Sequence, residues 1–194
     1  MERIYELRKE AKANGEPILR DKSFELLLET IRIKKPTKIL EIGVNLGLSG
    51  IAMLLNCQTA SLTGIEIDEE KIALAKENYK EFGVDKRAKI FQGDASEIIP
   101  VLTGEYDFIF LDGPKGHYFE YLPNLLAVLK VGGTLFADNV LFRGFVDGTV
   151  KTPHRYNTTK NSMTKFLDAI TNDKKLSTTI YKMEDGVSVT EKLL

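Results

Sequence analysis

The sequence predicts an α/β protein with a mostly parallel sheet and helices on both of its faces. Short, nearly continuous apolar segments alternate with segments of helical periodicity over residues 38–138, as in parallel strands that are buried on both sides. Two later apolar segments, 176–183 and 186–192, meet at Glu-Asp-Gly and predict a closing antiparallel hairpin. The sheet is therefore expected to have seven strands.

Each of the five earlier strands is predicted from one apolar segment: 38–42, 61–67, 88–92, 106–112 and 133–138. Helical periodicity predicts helices at 2–13, 21–34 (with Asp21 as the N-cap), 48–57, 69–82, 95–102, 117–130 and 158–171. We interpret residues 1–194 as one domain. A helical region at 1–36 precedes a core at 37–194.

Composition narrows the class of protein. The chain has 194 residues, of which 43% are hydrophobic and 28% charged, and neither a membrane-length apolar segment nor a secretory signal is evident. A single cysteine, Cys57, excludes an internal disulfide, and we expect a cytoplasmic location. The net charge of -1 hides an acidic centre between two mildly basic flanks. This distribution fits an anionic partner or, equally, ordinary solvated helix faces.

Acidic or amide residues lie at the C-terminal ends of all five predicted parallel strands. They are Glu41, Glu66, Asp94, Asp112 and the pair Asp138 and Asn139. Ligands of doubly wound sheets bind at the carboxyl ends of the strands. The repetition of polar residues at this edge therefore predicts a ligand site there.

The first strand ends in a glycine-containing loop, Glu-Ile-Gly-Val-Asn-Leu-Gly. The spacing of Gly43 and Gly47 is neither the dinucleotide fingerprint nor a phosphate loop. Alone, it would suit a simple strand-to-helix turn. Glu66 could accept hydrogen bonds from both hydroxyls of a ribose, and Asp94 or the Ala95 amide could meet an adenine edge. Together these residues predict a cofactor that contains a nucleoside.

The later strand ends predict a metal site. Asp112, Asp138 and Asn139 offer hard oxygen donors, which favour Mg²⁺, Mn²⁺ or Ca²⁺ over zinc. Lys115 follows Asp112 by three residues and could act as a general base on an acceptor hydroxyl beside the metal. In the alternative reading, Asp138 caps a helix, Asn139 lies in a turn and Lys115 is a solvated loop lysine.

These motifs resemble a known family. The segments ILEIGVNLGLSGIAM, GIEIDEEKIALAKENYKEFG and GDASEIIP look like the cofactor site of the Rossmann-like class I S-adenosylmethionine-dependent methyltransferases. The segments LDGPKGHY and ADNVLFRGFV resemble the metal-dependent O-methyltransferases of the catechol and caffeoyl-CoA type. Among these, the chain looks most like the bacterial tRNA 5-hydroxyuridine methyltransferases. The resemblance also implies a homodimer.

The resemblance implies roles for individual residues. S-adenosyl-L-methionine would contact Glu41, Gly43, Val44, Gly47, Ser49, Glu66, Ile67, Asp94, Ala95 and Asp112. Asp112, Asp138 and Asn139 would bind the metal, with Lys115 as the catalytic base.

The substrate stays open between two classes that both present adjacent oxygens. One is 5-hydroxyuridine at the wobble position of a tRNA anticodon loop, and the other is a small catechol-like phenol. Arg143, Arg155 and Tyr156 lie in a basic segment after the metal residues and could contact an RNA loop or form a lid over a small phenol. The resemblance favours tRNA. A non-catalytic protein that binds the cofactor or RNA is a third alternative.

Overall fold

Helices and strands alternate along the chain in the order that the sequence predicts. The computed structural model describes residues 1–194, which fall into two compact units, Met1–Ala95 and Ser96–Leu194. None of the helices combines the length and the apolar character that a membrane crossing needs.

The first unit contains three parallel strands and four helices. They are α1 (Glu2–Ala13), α2 (Asp21–Lys34), β1 (Lys38–Ile42), α3 (Leu48–Asn56), β2 (Ser61–Glu66), α4 (Glu69–Glu81) and β3 (Ala88–Gln92). β2 pairs in parallel with both β1 and β3. Ile42 pairs with Ile65, and Ile65 with Phe91. This register brings the carboxyl ends of the three strands to one edge.

The second unit contains the other four strands. A short helix, α5 (Ala95–Ile98), leads into it, followed by β4 (Tyr106–Leu111), α6 (Tyr118–Val128), β5 (Leu129–Asp138), α7 (Asn157–Asn172), β6 (Leu176–Tyr181) and β7 (Val187–Lys192). β4 and β5 are parallel, whereas β7 pairs antiparallel with both β5 and β6. The predicted C-terminal hairpin is therefore confirmed.

Three of the differences from the prediction concern a helix cap, the start of a strand and the end of a helix. Arg20, not Asp21, is the N-cap of α2. The Asp21 carboxylate instead accepts hydrogen bonds from Arg8 and Lys12 of α1. β5 begins four residues earlier than expected, at Leu129 rather than 133, and passes through Gly132, whose φ is 77°. The helix expected at 95–102 ends at 98 and continues only as a 3₁₀ turn over Ile99–Val101.

Apolar side chains bury the strands within each unit. In the first unit, α2 buries Phe24, Leu27, Leu28 and Ile31, while α3 is buried over most of its surface. In the second, Phe110 and Phe136 pack edge to face with ring centroids 5.8 Å apart, a geometry that adds to the hydrophobic gain. The strand ends that hold the candidate residues therefore project from well-packed cores.

Candidate functional site

A tight loop joins the end of β1 to the start of α3. Gly43 and Gly47 have φ angles of 88° and 75°, which glycine tolerates without steric cost. Asn45, between them, has a φ of 49°, and asparagine is among the few other residues that adopt this conformation. A Cβ at Gly47 would lie 2.7 Å from the Tyr79 ring. This close approach requires glycine, and it lets the loop turn tightly at the strand end.

The carboxylate of Glu66, at the end of β2, accepts hydrogen bonds from four backbone N–H groups. Oε2 accepts from Val44 and Asn45 at 3.1 and 2.9 Å, and Oε1 accepts from Ile67 and Asp68 at 2.9 and 3.1 Å. An ionised carboxylate has about four lone-pair sites. The ribose hydroxyls predicted for this residue would therefore share its oxygens with the backbone. The sequence placed Glu66 at this edge but gave no sign of these donors.

Glu41 lies behind the glycine loop. Its side chain is fully buried, and the Ser49 hydroxyl donates a hydrogen bond to Oε1. A Cβ at Gly50 would lie 2.7 Å from Glu41 Oε2 and 2.9 Å from the Tyr79 hydroxyl, so a larger residue there would force one of these groups to move. Burial, aided by the charge of Glu41, raises the pKa of Tyr79 well above its usual value. Glu41 therefore anchors Ser49, at the start of α3, from behind the loop.

Ile67, Asp94 and Ala95 complete the predicted cofactor residues of the first unit. Ile67 is 64% exposed although it is apolar. The Gly93 N–H donates to the Glu66 carbonyl at 2.9 Å, which fixes the turn that leads to Asp94 and Ala95. Asp94 is exposed and Ala95 half-buried. The structure therefore brings these residues to the strand-end edge that also holds Glu66.

In the second unit, Asp112 and Asp138 follow neighbouring strand ends. Leu111 of β4 pairs with Ala137 of β5. Asp112 comes directly after Leu111, and Asp138 comes directly after Ala137. The Tyr118 hydroxyl donates to the carbonyls of Leu111 and Asp138 at 3.0 and 3.3 Å. This buried tyrosine ties the two strand ends together. Its role was not predicted from the sequence, where its closeness to Lys115 is the only signal.

Asp138 is the buried carboxylate of this strand-end pair. Its side chain is 3% exposed, and its Oδ1 has no hydrogen-bond partner. Burial raises its pKa to about 7, with a further contribution from the charge of Asp112. Lys115 and a hydrogen bond from the Asn139 backbone act in the opposite direction. A buried acceptor without a donor is costly, and a cation would satisfy it.

Lys115 lies in a 3₁₀ turn just before α6. Its Nζ is 2.6 Å from Asp112 Oδ1, and both side chains are mostly buried, with 21% and 24% exposed. This geometry brings the predicted base and the predicted metal ligand together. It contradicts the alternative reading of Lys115 as a solvated loop lysine.

The donor set is hard and small. No group of three or more His, Cys, Asp or Glu side chains is arranged to hold a metal ion. Asp112 and Asp138 supply two carboxylates, and a third protein ligand would have to be the amide of Asn139. The partnerless oxygen of Asp138 and this all-oxygen chemistry fit a hard divalent cation.

Backbone contacts with the C-terminal hairpin hold Asn139 in place. Asn139 has a φ of 58°, so the chain turns sharply as it leaves β5. The N–H groups of Val140 and Leu141 donate to the carbonyls of Gly186 and Asp185 at 3.0 and 2.8 Å. These bonds span more than forty residues of sequence, and no local pattern predicts them.

The predicted substrate residues form an aromatic and cationic cluster. The guanidinium carbons of Arg143 and Arg155 lie 5.6 and 4.8 Å from the Tyr156 ring centroid. Phe145 stacks on Tyr156 at 5.5 Å, and Phe142 meets it edge on at 5.7 Å. The sequence analysis missed both phenylalanines. Since Phe145 stacks on Tyr156, this contact limits the room that Tyr156 has to stack on a base.

The fold has close counterparts among solved structures. A protein from Staphylococcus aureus, provisionally assigned as a caffeoyl-CoA O-methyltransferase, superposes with a TM-score of 0.88, 27% identity and coverage of 97% of this chain and 91% of that one. The S-adenosylhomocysteine-bound methyltransferase PaMTH1 of Podospora anserina superposes with a TM-score of 0.80 and 27% identity. The match covers 90% of this chain and 80% of PaMTH1. The predicted Rossmann-like methyltransferase fold, with a mostly parallel seven-stranded sheet, is confirmed.

Proteins related in sequence are also methyltransferases. A caffeoyl-CoA O-methyltransferase of Stellaria longipes is 31% identical over 157 residues, which cover 75% of this chain. The match spans only 64% of the Stellaria enzyme's length. Tapetum-specific methyltransferase 1 of Arabidopsis thaliana is 28% identical over 93% of this chain and 78% of its own. The profile of the O-methyltransferase family matches residues 3–193, and the chain therefore belongs to this family.

Proposed function

We propose that this protein methylates a hydroxyl group that lies beside a second oxygen, using S-adenosylmethionine and a divalent cation. The observation that supports this most directly is Asp138, a buried carboxylate with one oxygen unpartnered. It follows the same paired strand ends as Asp112. Lys115, which is ion-paired with Asp112, places a proposed proton acceptor beside these two cation ligands.

The first unit would hold the cofactor. Glu66 would accept the ribose hydroxyls, and the exposed Ile67 side chain offers an apolar surface to the adenine. Asp94 and Ala95 would meet the adenine edge, while the loop that contains Gly43, Val44, Gly47 and Ser49 would surround the methionine part, with Glu41 behind it. When bound, S-adenosylmethionine supplies an electrophilic methyl group on a sulfonium centre.

The second unit would hold the cation and handle the proton. Asp112, Asp138 and Asn139 would bind Mg²⁺, Mn²⁺ or Ca²⁺, which lowers the pKa of a coordinated hydroxyl and orients it. Lys115 Nζ would accept the hydroxyl proton. The amine must be neutral to do so.

For the acceptor, we propose 5-hydroxyuridine at the tRNA wobble position. The support is the exposed pair Arg143 and Arg155 beside Tyr156, in the segment that follows Asn139. Arginines of this kind suit phosphate and base contacts in a single-stranded loop. The relatives named for caffeoyl-CoA favour a small catechol-like substrate instead. The homodimer and the cytoplasmic location stay predictions.

The test incubates the protein with S-adenosylmethionine and Mg²⁺, with and without a chelator. The acceptors are tRNA that contains 5-hydroxyuridine and, in parallel, a simple catechol, and mass spectrometry measures both products. Chelator-sensitive methylation of tRNA, far more efficient than that of catechol, would support the full proposal. Methylation of catechol alone would support the chemistry with a small substrate.

The matched variants are Asp138→Asn and Asp168→Asn. The first replaces a negatively charged cation ligand by a neutral one, whereas Asp168 is an exposed acid of α7 and serves as the control. We expect Asp138→Asn to lose turnover on either acceptor. Cofactor binding without metal-dependent turnover on any adjacent-oxygen substrate would favour the non-catalytic alternative.

A further inference from the structure

The connector between α1 and α2, residues 14–20, is tied at two points to the elements that form the proposed cofactor site. Lys71 Nζ lies 2.7 Å from both carboxylate oxygens of Glu16. The Asn45 side-chain amide donates to the Pro17 carbonyl at 2.8 Å. The connector is therefore held from α4 on one side and from the glycine loop on the other.

Both anchors belong to elements that contact Glu66. The Asn45 backbone N–H donates to Glu66 Oε2 at 2.9 Å, while its side chain reaches the connector. Lys71 lies in the first turn of α4, where its N–H donates to the capping residue Asp68 at 3.1 Å. The Asp68 N–H in turn donates to Glu66 Oε1. The connector, the loop and the proposed ribose acid thus share one hydrogen-bonded network.

Both partners of the Glu16–Lys71 ion pair are partly buried, unlike those of the Arg3–Glu6 pair. Each of its side chains is only 26% exposed, whereas those of the Arg3–Glu6 pair are 47% and 59% exposed. An exposed pair contributes little, because water and salt screen it. A partly buried, two-oxygen contact is screened less. Losing either partner leaves the other charge poorly solvated.

We propose that Glu16 and Lys71 are positioning residues for the cofactor. Their ion pair holds the connector against Asn45 and, through it, keeps the glycine loop and Glu66 in the binding geometry. Breaking the pair raises the dissociation rate of a bound nucleoside cofactor. This inference rests on the proposed placement of the cofactor at Glu66.

The test measures S-adenosylhomocysteine binding by calorimetry and its release by stopped-flow displacement. Lys71→Met and Glu16→Gln should each raise Kd about tenfold, which corresponds to about 1.4 kcal/mol, mostly through faster release. The double variant should be no worse than either single one. The charge reversal Glu16→Lys with Lys71→Glu should recover most of the affinity. Lys76→Met, an exposed lysine on the same helix, is the control and should change nothing.

A second measurement follows the connector itself. Hydrogen exchange of residues 14–20 in the ligand-free protein should speed up in Lys71→Met, while exchange in the β1 and β2 strands stays unchanged. Faster exchange across the whole unit would mean that the pair only stabilises the fold, and this would overturn the proposal.

Binding results also separate the two proposals. If Glu66→Ala abolishes S-adenosylhomocysteine binding while Lys71→Met and Glu16→Gln bind normally, the positioning role is wrong and the cofactor site stands. Additive losses in the double variant would show that the two residues act separately and would overturn the pairing. If Glu66→Ala binds as the unaltered protein does, both the cofactor placement and the positioning role are wrong.

Discussion

Replacing Asp138 by asparagine should make the metal-free protein more stable at pH 8 and remove its response to Mg²⁺. The two effects have a common cause. Asp138 is buried, its Oδ1 lacks a donor, and the charge of Asp112 opposes its ionisation. An isosteric amide removes the buried negative charge, and the neutral amide oxygen that replaces it attracts a cation much less strongly.

The magnitude follows from the raised pKa. A pKa of about 7 in the fold against 3.8 for an ordinary aspartate corresponds to about 4 kcal/mol, since a tenfold change in proton affinity is about 1.4 kcal/mol. The folded state binds the proton more tightly, so this contribution is present below pH 3.8 and is lost as the pH rises to about 7. An imperfectly bonded buried amide costs about 1–3 kcal/mol. The net gain at pH 8 should be about 2 kcal/mol.

Thermal unfolding in EDTA and in Mg²⁺, at pH 5.5 and pH 8, measures both effects. A gain of about 2 kcal/mol should raise Tm by about 4–8 °C at pH 8 in EDTA, and the gain should vanish at pH 5.5. Mg²⁺ should raise Tm of the unaltered protein at pH 8 and leave Asp138→Asn unchanged. A variant less stable than the unaltered protein at pH 8 in EDTA would show that the buried charge is not destabilising, and equal stabilisation of both proteins by Mg²⁺ would show that Asp138 does not bind the cation.

Three further predictions concern other parts of the site. Lys115→Met should reduce the rate of methyl transfer at least about a hundredfold, while S-adenosylhomocysteine binding stays normal. A rate within threefold of that of the unaltered protein would exclude the base role. Gly50→Ala should cost about 1–3 kcal/mol in unfolding free energy by urea titration and weaken cofactor binding, because its Cβ would lie 2.7 Å from Glu41 Oε2. Arg155→Ala should weaken tRNA binding severalfold and reduce the slope of log K against log salt by about 1, with catechol kinetics unchanged. Lys174→Ala is its control, and an equal effect of both variants would contradict a specific contact.

The order of elements could be predicted because each strand is a short apolar segment between helices. β1 and β3 match their predicted bounds, and β2 and β4 end one residue earlier than expected. The prediction failed where a residue distant in the sequence determines the contacts of a side chain. Asp21 looks like a helix cap, yet its carboxylate pairs with Arg8 and Lys12. Local sequence contains no information on such a contact.

In the candidate site, too, some features could be predicted from the sequence and others depend on distant contacts. Residue type and strand position were enough to find Glu66, Asp112 and Asp138. The four N–H donors around Glu66 depend on how the glycine loop folds back, and the packing of Phe145 on Tyr156 depends on a loop contact. Neither follows from spacing along the chain.

Glu66 and Asp138 come from the same pattern, an acid at the end of a buried strand, but the groups around them differ. Hydrogen-bond donors surround Glu66, whereas a second negative charge lies near Asp138. Glu66 is surrounded by four N–H donors, so its negative charge is already stabilised and a cation is not needed there. A neutral ligand that offers hydroxyl groups suits it. Asp138 has an oxygen with no donor and the negative charge of Asp112 nearby. Only added positive charge or a proton relieves this arrangement. The two surroundings therefore favour a sugar hydroxyl at the first acid and a cation at the second, in agreement with the roles that the sequence predicts for them.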